Sequence, residues 1–123
     1  MDTFLVLICL GALFLKHFII DFPLQTPFQW KNKGKCGHVG GMFHAFNHGV
    51  GTILALALFT PLSLAITAGI IDSLVHYHID WAKIRINHSF GLTPVNSPHF
   101  WTLLGFDQLL HALTYLVMVG YLA

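Results

Sequence analysis

Hydrophobic residues along the chain gather into four long stretches, parted by short polar segments rich in glycine, proline and lysine. A bilayer core about 30 Å thick is crossed by roughly 20 apolar residues of helix. Stretches of about that length run from about 3 to 22, 40 to 59, 61 to 86 and 98 to 122. The pattern predicts an all-α integral membrane protein. Four transmembrane helices form an antiparallel bundle, in one domain over residues 1–123. Thr60-Pro61 reads as an N-cap followed by proline at the first helical position. The connection between spans two and three is then so short that they must be antiparallel neighbours. Ser97-Pro98 repeats the signal before span four. The segments 25–38, with Pro27, Gly34 and Gly37, and 87–96, with Gly91 and Pro94, read as loops. Span one is expected to remain as a helix rather than be cleaved as a signal peptide, because Asp2 replaces the usual basic residues and no small-residue cleavage site follows.

Composition agrees with this reading. The chain is 55% hydrophobic and 9% charged, with mean hydropathy +0.70. Soluble domains carry about 25% charged residues, so a water-facing surface is hard to build from this chain. A net charge of +1 offers no basic face for nucleic acid. Cys9 lies in an apolar run and Cys36 in a polar loop, so no disulfide is expected, and no C-x-x-C pattern occurs. Lys31, Lys33 and Lys35 sit in the first loop, and Lys83 and Arg85 beside the third. The second connection and both termini have no lysine or arginine. The positive-inside rule then puts loops one and three in the cytoplasm and both termini on the periplasmic or extracellular side of a bacterial inner membrane. Lys16 lies close enough to a helix end to snorkel. Trp30, Trp81 and Trp101 fall near span ends on the lysine side, as an interfacial belt does.

The acids behave oppositely to the bases. There is no glutamate, and four of the five aspartates (Asp21, Asp72, Asp80 and Asp107) lie within or at the edge of apolar segments. They are joined by histidines at a spacing of four. Span one has His17 and Asp21, span two His44 and His48, span three His76 and Asp80 with Asp72 before them, and span four Asp107 and His111. Residues four apart share one helix face about 6 Å apart along the axis. In an antiparallel bundle all four pairs fall in the same half of the bilayer, on the side of the lysine-rich loops. An aspartate at a membrane helix centre costs about 2.5–3.5 kcal/mol on insertion scales. Such residues must pair, bind an ion or line a wet cavity.

Carboxylates and imidazoles are the ligands of hydrolytic metal sites, and helix bundles build such sites from inward-facing residues. The predicted ligands are His17, Asp21, His44, His48, His76, Asp80, Asp107 and His111. They would hold one or two divalent ions, zinc first, with manganese or iron as alternatives. Asp72 and Asp80 are the candidate catalytic carboxylates, and Asp72 is equally a ligand or an orienting partner. Gln25, Asn47 and Gln108 are candidate hydrogen-bond partners behind the ligands. His78 lies about 200° around the helix from His76 and should face away from the stripe; it stands as a candidate for a second layer of ligands or for substrate contact, which a kink would favour. Lys83 is a candidate for binding substrate phosphate, with a snorkelling role beside it. His38, His88 and His99 are expected to be exposed. Gly40, Gly41, Gly49 and Gly51 suggest a close-packing helix face.

Several motifs together resemble a family of small bacterial and phage membrane proteins known only as a domain of unknown function. They are H-F-I-I-D-F-P-L-Q over residues 17–25, the N-K-G-K that follows, H-A-F-N-H over 44–48, H-Y-H-I-D-W-A-K over 76–83 and D-Q-L-L-H over 107–111. The resemblance covers nearly the whole chain and implies that these histidines and aspartates are the family's characteristic positions. The pattern is also similar, more loosely, to membrane-embedded metal-dependent hydrolases. The expected function is metal-dependent ester or phosphoester hydrolysis near the cytoplasmic face, on a lipid headgroup, a lipid-linked intermediate or a nucleotide. One alternative is a divalent-ion or proton transporter, which the apolar outer halves of the helices disfavour in a monomer. Another is a non-catalytic protein with a structural metal or a His–Asp network that acts on a partner. The bilayer, a second copy of the chain, and a host membrane or lipid-linked component are the expected partners.

Overall fold

The computed structural model describes residues 1–123 as an all-α chain of five helices. They are α1 (Thr3–Asp21), α2 (Pro27–Asn32), α3 (Val39–Leu56), α4 (Leu62–Ser89) and α5 (Pro98–Leu122). The four long helices close into a ring in which α1 touches α3 and α5, and α4 touches α3 and α5. The α3–α4 interface is the most extensive. Three helices, α1, α4 and α5, are long and apolar enough to cross a membrane. The second expected span, α3, is shorter than predicted, and His44, Asn47, His48 and its glycines dilute its apolar content.

Two boundaries differ from expectation. Thr60 does not cap α4; its hydroxyl donates to the Leu56 carbonyl at 3.0 Å and so closes α3. The helix α4 starts at Leu62 with Pro61 at its N-cap and no side-chain cap bond. The connection remains short, and α3 and α4 remain adjacent. The first loop, expected to be irregular, contains α2. Thr26 and Gln29 form a reciprocal capping box there, with Pro27 at the first turn. T-P-x-Q carries that signal in the sequence. At α5 the expectation holds: Ser97 Oγ accepts from the His99 amide at 3.2 Å ahead of Pro98. His38 also caps a helix, with Nδ1 accepting from the Gly40 amide at 3.0 Å, whereas His88 and His99 are exposed.

Burial is inverted relative to a water-soluble protein. Polar and charged residues outnumber apolar ones in the interior, while large aliphatic and aromatic side chains such as Phe14, Phe18, Leu54, Ile70, Leu109 and Val117 are exposed. Contiguous apolar surface on this scale marks a membrane or protein contact. The interior itself is divided. One half, built by Cys9, Leu13, Leu56, Ala65, Ala68, Tyr115, Met118 and Val119, is almost entirely apolar. The other half, toward α2 and the 87–96 loop, holds the histidines and aspartates. Lys16 does not snorkel: it turns inward, because Asp72 of α4 faces it across the bundle.

The tight α3–α4 contact depends on two glycines. A Cβ on Gly49 would strike Ser73 Oγ and meet the Gly69 carbonyl at 2.6 Å. A Cβ on Gly69 would meet Ile53 Cγ1 at 2.5 Å and the Gly49 carbonyl at 2.6 Å. Backbone cannot yield as a flexible side chain can. Gly69→Ala is therefore expected to destabilise the bundle by about 1–3 kcal/mol, the usual cost of overpacking, and to lower the thermal midpoint in detergent. Gly105→Ala, where a Cβ meets nothing within 4 Å, should leave the midpoint unchanged or slightly higher.

Candidate metal centre

Each long helix contributes one polar stripe to the site. His17 and Asp21 come from the last turns of α1, His44 and His48 from the first half of α3, His76 and Asp80 from the second half of α4, and Asp107 and His111 from the first half of α5. The structure brings all eight side chains together. The rings of His48 and His76 stack with centroids 3.5 Å apart, and those of His76 and His111 at 4.1 Å. His17 lies beside His111 at 4.9 Å and His48 at 5.2 Å.

Asp21 is the focus of one group. Its Oδ1 is 3.0 Å from Nε2 of both His44 and His48 and 3.5 Å from Nε2 of His76. Nε2 of His44 and of His76 are 3.3 Å apart. Zinc bonds of about 2.0–2.2 Å to histidine and carboxylate, arranged tetrahedrally, separate ligand atoms by about 3.3 Å. Asp21, His44, His48 and His76 therefore have the chemistry and spacing to hold an ion. Two further sets, His17 with His76 and His111, and Asp80 with Asp107 and His111, also qualify by proximity. The Nδ1 atoms of His44 and His76 have no hydrogen-bond partner.

Around these groups stand residues that orient them. Gln108 joins three candidates: its Oε1 is 3.0 Å from His17 Nε2, and its Nε2 donates to Asp107 Oδ2 at 3.1 Å and Asp21 Oδ2 at 3.4 Å. His17 Nδ1 lies 2.9 Å from the Tyr115 hydroxyl. Lys83 donates to Asp107 Oδ2 at 2.9 Å and lies 3.7 Å from Asp80 Oδ1. Lys33 Nζ is 2.9 Å from Asp80 Oδ2, an ion pair outside hydrogen-bond directions. Lys33 is buried and Lys83 half-buried, and both turn to the site's carboxylates.

Other predicted residues lie apart. Asp72 belongs to a deeper layer, where Oδ2 accepts from Lys16 Nζ at 2.5 Å and from the Thr52 hydroxyl at 2.6 Å. Lys16 also donates to the His48 carbonyl at 3.2 Å. His78 is exposed, with Nδ1 2.6 Å from the Leu74 carbonyl. Gln25 caps the end of α1 by donating to the Asp21 carbonyl at 2.7 Å. Asn47 is half-buried and outside the hydrogen-bonded cluster. Tyr115, Thr52, Lys16 and Lys33 were not among the sequence candidates. Thr52 and Tyr115 continue the four-residue stripes of α3 and α5, a signal present in the chain. Lys33 had none, because its reach to Asp80 depends on the path of the α2 loop.

Breaking a buried ion pair leaves one charge uncompensated and typically costs about 3–5 kcal/mol, whereas replacing both partners by apolar groups is often neutral. Lys16→Met and Asp72→Leu are each expected to lower stability strongly. The double variant should recover most of the loss. A double-mutant cycle on detergent unfolding curves measures the coupling.

Neither a curated protein nor a solved structure gives a significant match to the chain. A family model described as "Protein of unknown function (DUF3307)" matches residues 9–123, nearly the whole length. On that match the chain belongs to the DUF3307 family.

Proposed function

We propose that the chain is a four-span membrane metalloprotein acting as a metal-dependent hydrolase, with its centre near the cytoplasmic face. The observation that carries the reading is the convergence of three imidazole nitrogens on one carboxylate oxygen, with His44 and His76 Nε2 facing each other at 3.3 Å. Two such nitrogens accommodate one proton between them or one shared cation. A fourth ligand and tetrahedral spacing favour the cation. Zinc suits this nitrogen-rich set; manganese and iron are the alternatives.

A bound divalent ion supplies a Lewis acid and acidifies water toward neutral pKa. The protein's own residues do the rest. Asp80 stands beside the four-residue group, 3.4 Å from Nε2 of both His44 and His76, where its carboxylate would reach a bound ion or the water on it. Lys33 and Lys83 provide positive charge next to it, which favours a phosphoester over a neutral ester. Asp72, tied to Lys16 and Thr52, stabilises the bundle beneath the site. The substrate is an anionic lipid headgroup, a lipid-linked intermediate or a nucleotide reaching the site from the α2 side. A transporter reading requires polar residues continuing across the bundle, and the apolar half of the interior opposes it. In the four-span arrangement α3 crosses the membrane despite its lower hydropathy, because its polar face is covered by the other helices.

Two experiments test this. Elemental mass spectrometry of detergent-purified protein should find near-stoichiometric zinc, manganese or iron, lost in His44→Ala/His48→Ala. Folded protein that takes up no metal after supplementation leaves a His–Asp network as the better account. Topology is read with the exposed Cys36, since Cys9 is buried. A membrane-impermeant maleimide should label Cys36 in inside-out vesicles and not in intact cells. With Cys36 replaced by serine, Leu58→Cys should show the reverse. Labelling of Cys36 and Leu58→Cys from the same side would exclude α3 as a span.

A further inference from the structure

Beside the Asp21 group lies a second set of ligand atoms that the first ion would leave unused. Asp80 Oδ1 is 3.6 Å and Asp107 Oδ1 3.5 Å from His111 Nε2. None of these three atoms has a hydrogen-bond partner, and the three side chains are only 1–3% exposed. Buried polar atoms are nearly always satisfied, so a group of three orphans facing one another requires an explanation. Simple hydrogen bonding does not supply it, because the distances exceed a hydrogen bond.

The two carboxylates are divided in function. Asp107 turns Oδ2 to Lys83 at 2.9 Å and keeps Oδ1 for His111. Asp80 turns Oδ2 toward His44 and His76, each at 3.4 Å, and Oδ1 toward His111. One aspartate thus faces both ligand groups, one oxygen to each. Lys83 holds Asp107 by a hydrogen bond and Lys33 faces Asp80 as an ion pair, in the place that orienting partners take behind metal ligands.

We infer that Asp80, Asp107 and His111 form a second cation site, bridged by Asp80 to the site at Asp21, His44, His48 and His76. This rests on the metal reading proposed above. The two sites differ in kind. The first has four protein ligands besides the bridging Asp80 and is closed; the second has three, Asp80 included, and keeps a position open for a reacting ligand. The second donor set is oxygen-rich, the first nitrogen-rich. Lys33 stands at the Asp80 oxygen that faces His44 and His76, whereas Lys83 adds positive charge at Asp107, and the second set has fewer ligands, so its ion binds after the first and more weakly. Carboxylate-bridged ion pairs in hydrolytic sites lie about 3.5–4 Å apart.

Metal-free, detergent-purified protein is titrated with zinc, bound metal is counted by elemental mass spectrometry, and the loaded protein is measured by X-ray absorption. The expected result is two ions per chain, taken up in two steps, with metal–metal scattering at about 3.5–4 Å. Asp107→Asn/His111→Ala should retain one ion and lose the metal–metal signal. His44→Ala/His48→Ala should lose the tighter step. Saturation at one ion per chain, without metal–metal scattering, overturns the second site and leaves the first standing. Uptake of no ion by folded protein overturns both. The absorption measurement on the unsubstituted protein decides the question even where a variant fails to fold.

Discussion

Carboxylates withdrawn from water must be neutralised or coordinated, since an isolated buried charge is among the costliest features a protein can carry. Four aspartates, Asp21, Asp72, Asp80 and Asp107, are buried or have buried carboxylates within this bundle. The arrangement of its helices follows from satisfying them. Asp72 draws Lys16 inward from α1 and Thr52 from α3. Asp21 gathers three histidines from α3 and α4. Asp80 and Asp107 recruit Lys83 from the same side and Lys33 from the α2 loop. Each of the four long helices is tied to a neighbour by at least one such contact. The polar half of the interior is thereby both site and fastening.

The same ties account for the asymmetry of the molecule. At one end α1, α3, α4 and α5 meet through an apolar core, with the amino terminus donating to the Ala123 carbonyl at 3.0 Å. At the other end α2 and its loop lie across α3 and α4. The contact is close enough that a Cβ on Gly34 would strike Ile84, and the Gly37 amide donates to the Tyr77 hydroxyl at 2.7 Å. That segment carries Lys33 onto Asp80. Loop one is therefore part of the site's enclosure as well as a connection between helices. In the proposed orientation it stands between the site and the cytoplasm.

Ion pairs and ligand groups compete for the carboxylates, and charge decides the balance. Asp21, Asp80 and Asp107 bring three negative charges, and Lys33 and Lys83 return two. In the proposed reading, one divalent ion would turn the surplus from negative to positive, which would suit an anionic substrate. A second, if bound as inferred, would call for an anion at its open position.

Local signals in the chain were sufficient for much of this. Hydropathy and length marked α1, α4 and α5, Ser97-Pro98 marked the start of α5, and the four-residue spacing placed all eight histidines and aspartates on inward faces. The polar face of α3 was read correctly from His44 and His48, although those residues lower its hydropathy. The capping box at Thr26 and Gln29 was legible but lay in a segment read as loop. The sequence by itself determined which residues share a helix face, because helical periodicity is a local property. Only the tertiary structure decided which partner each charge takes. Lys16 meets Asp72 from 56 residues away and Lys33 reaches Asp80 across a loop. No rule of spacing within one helix encodes a contact made between two.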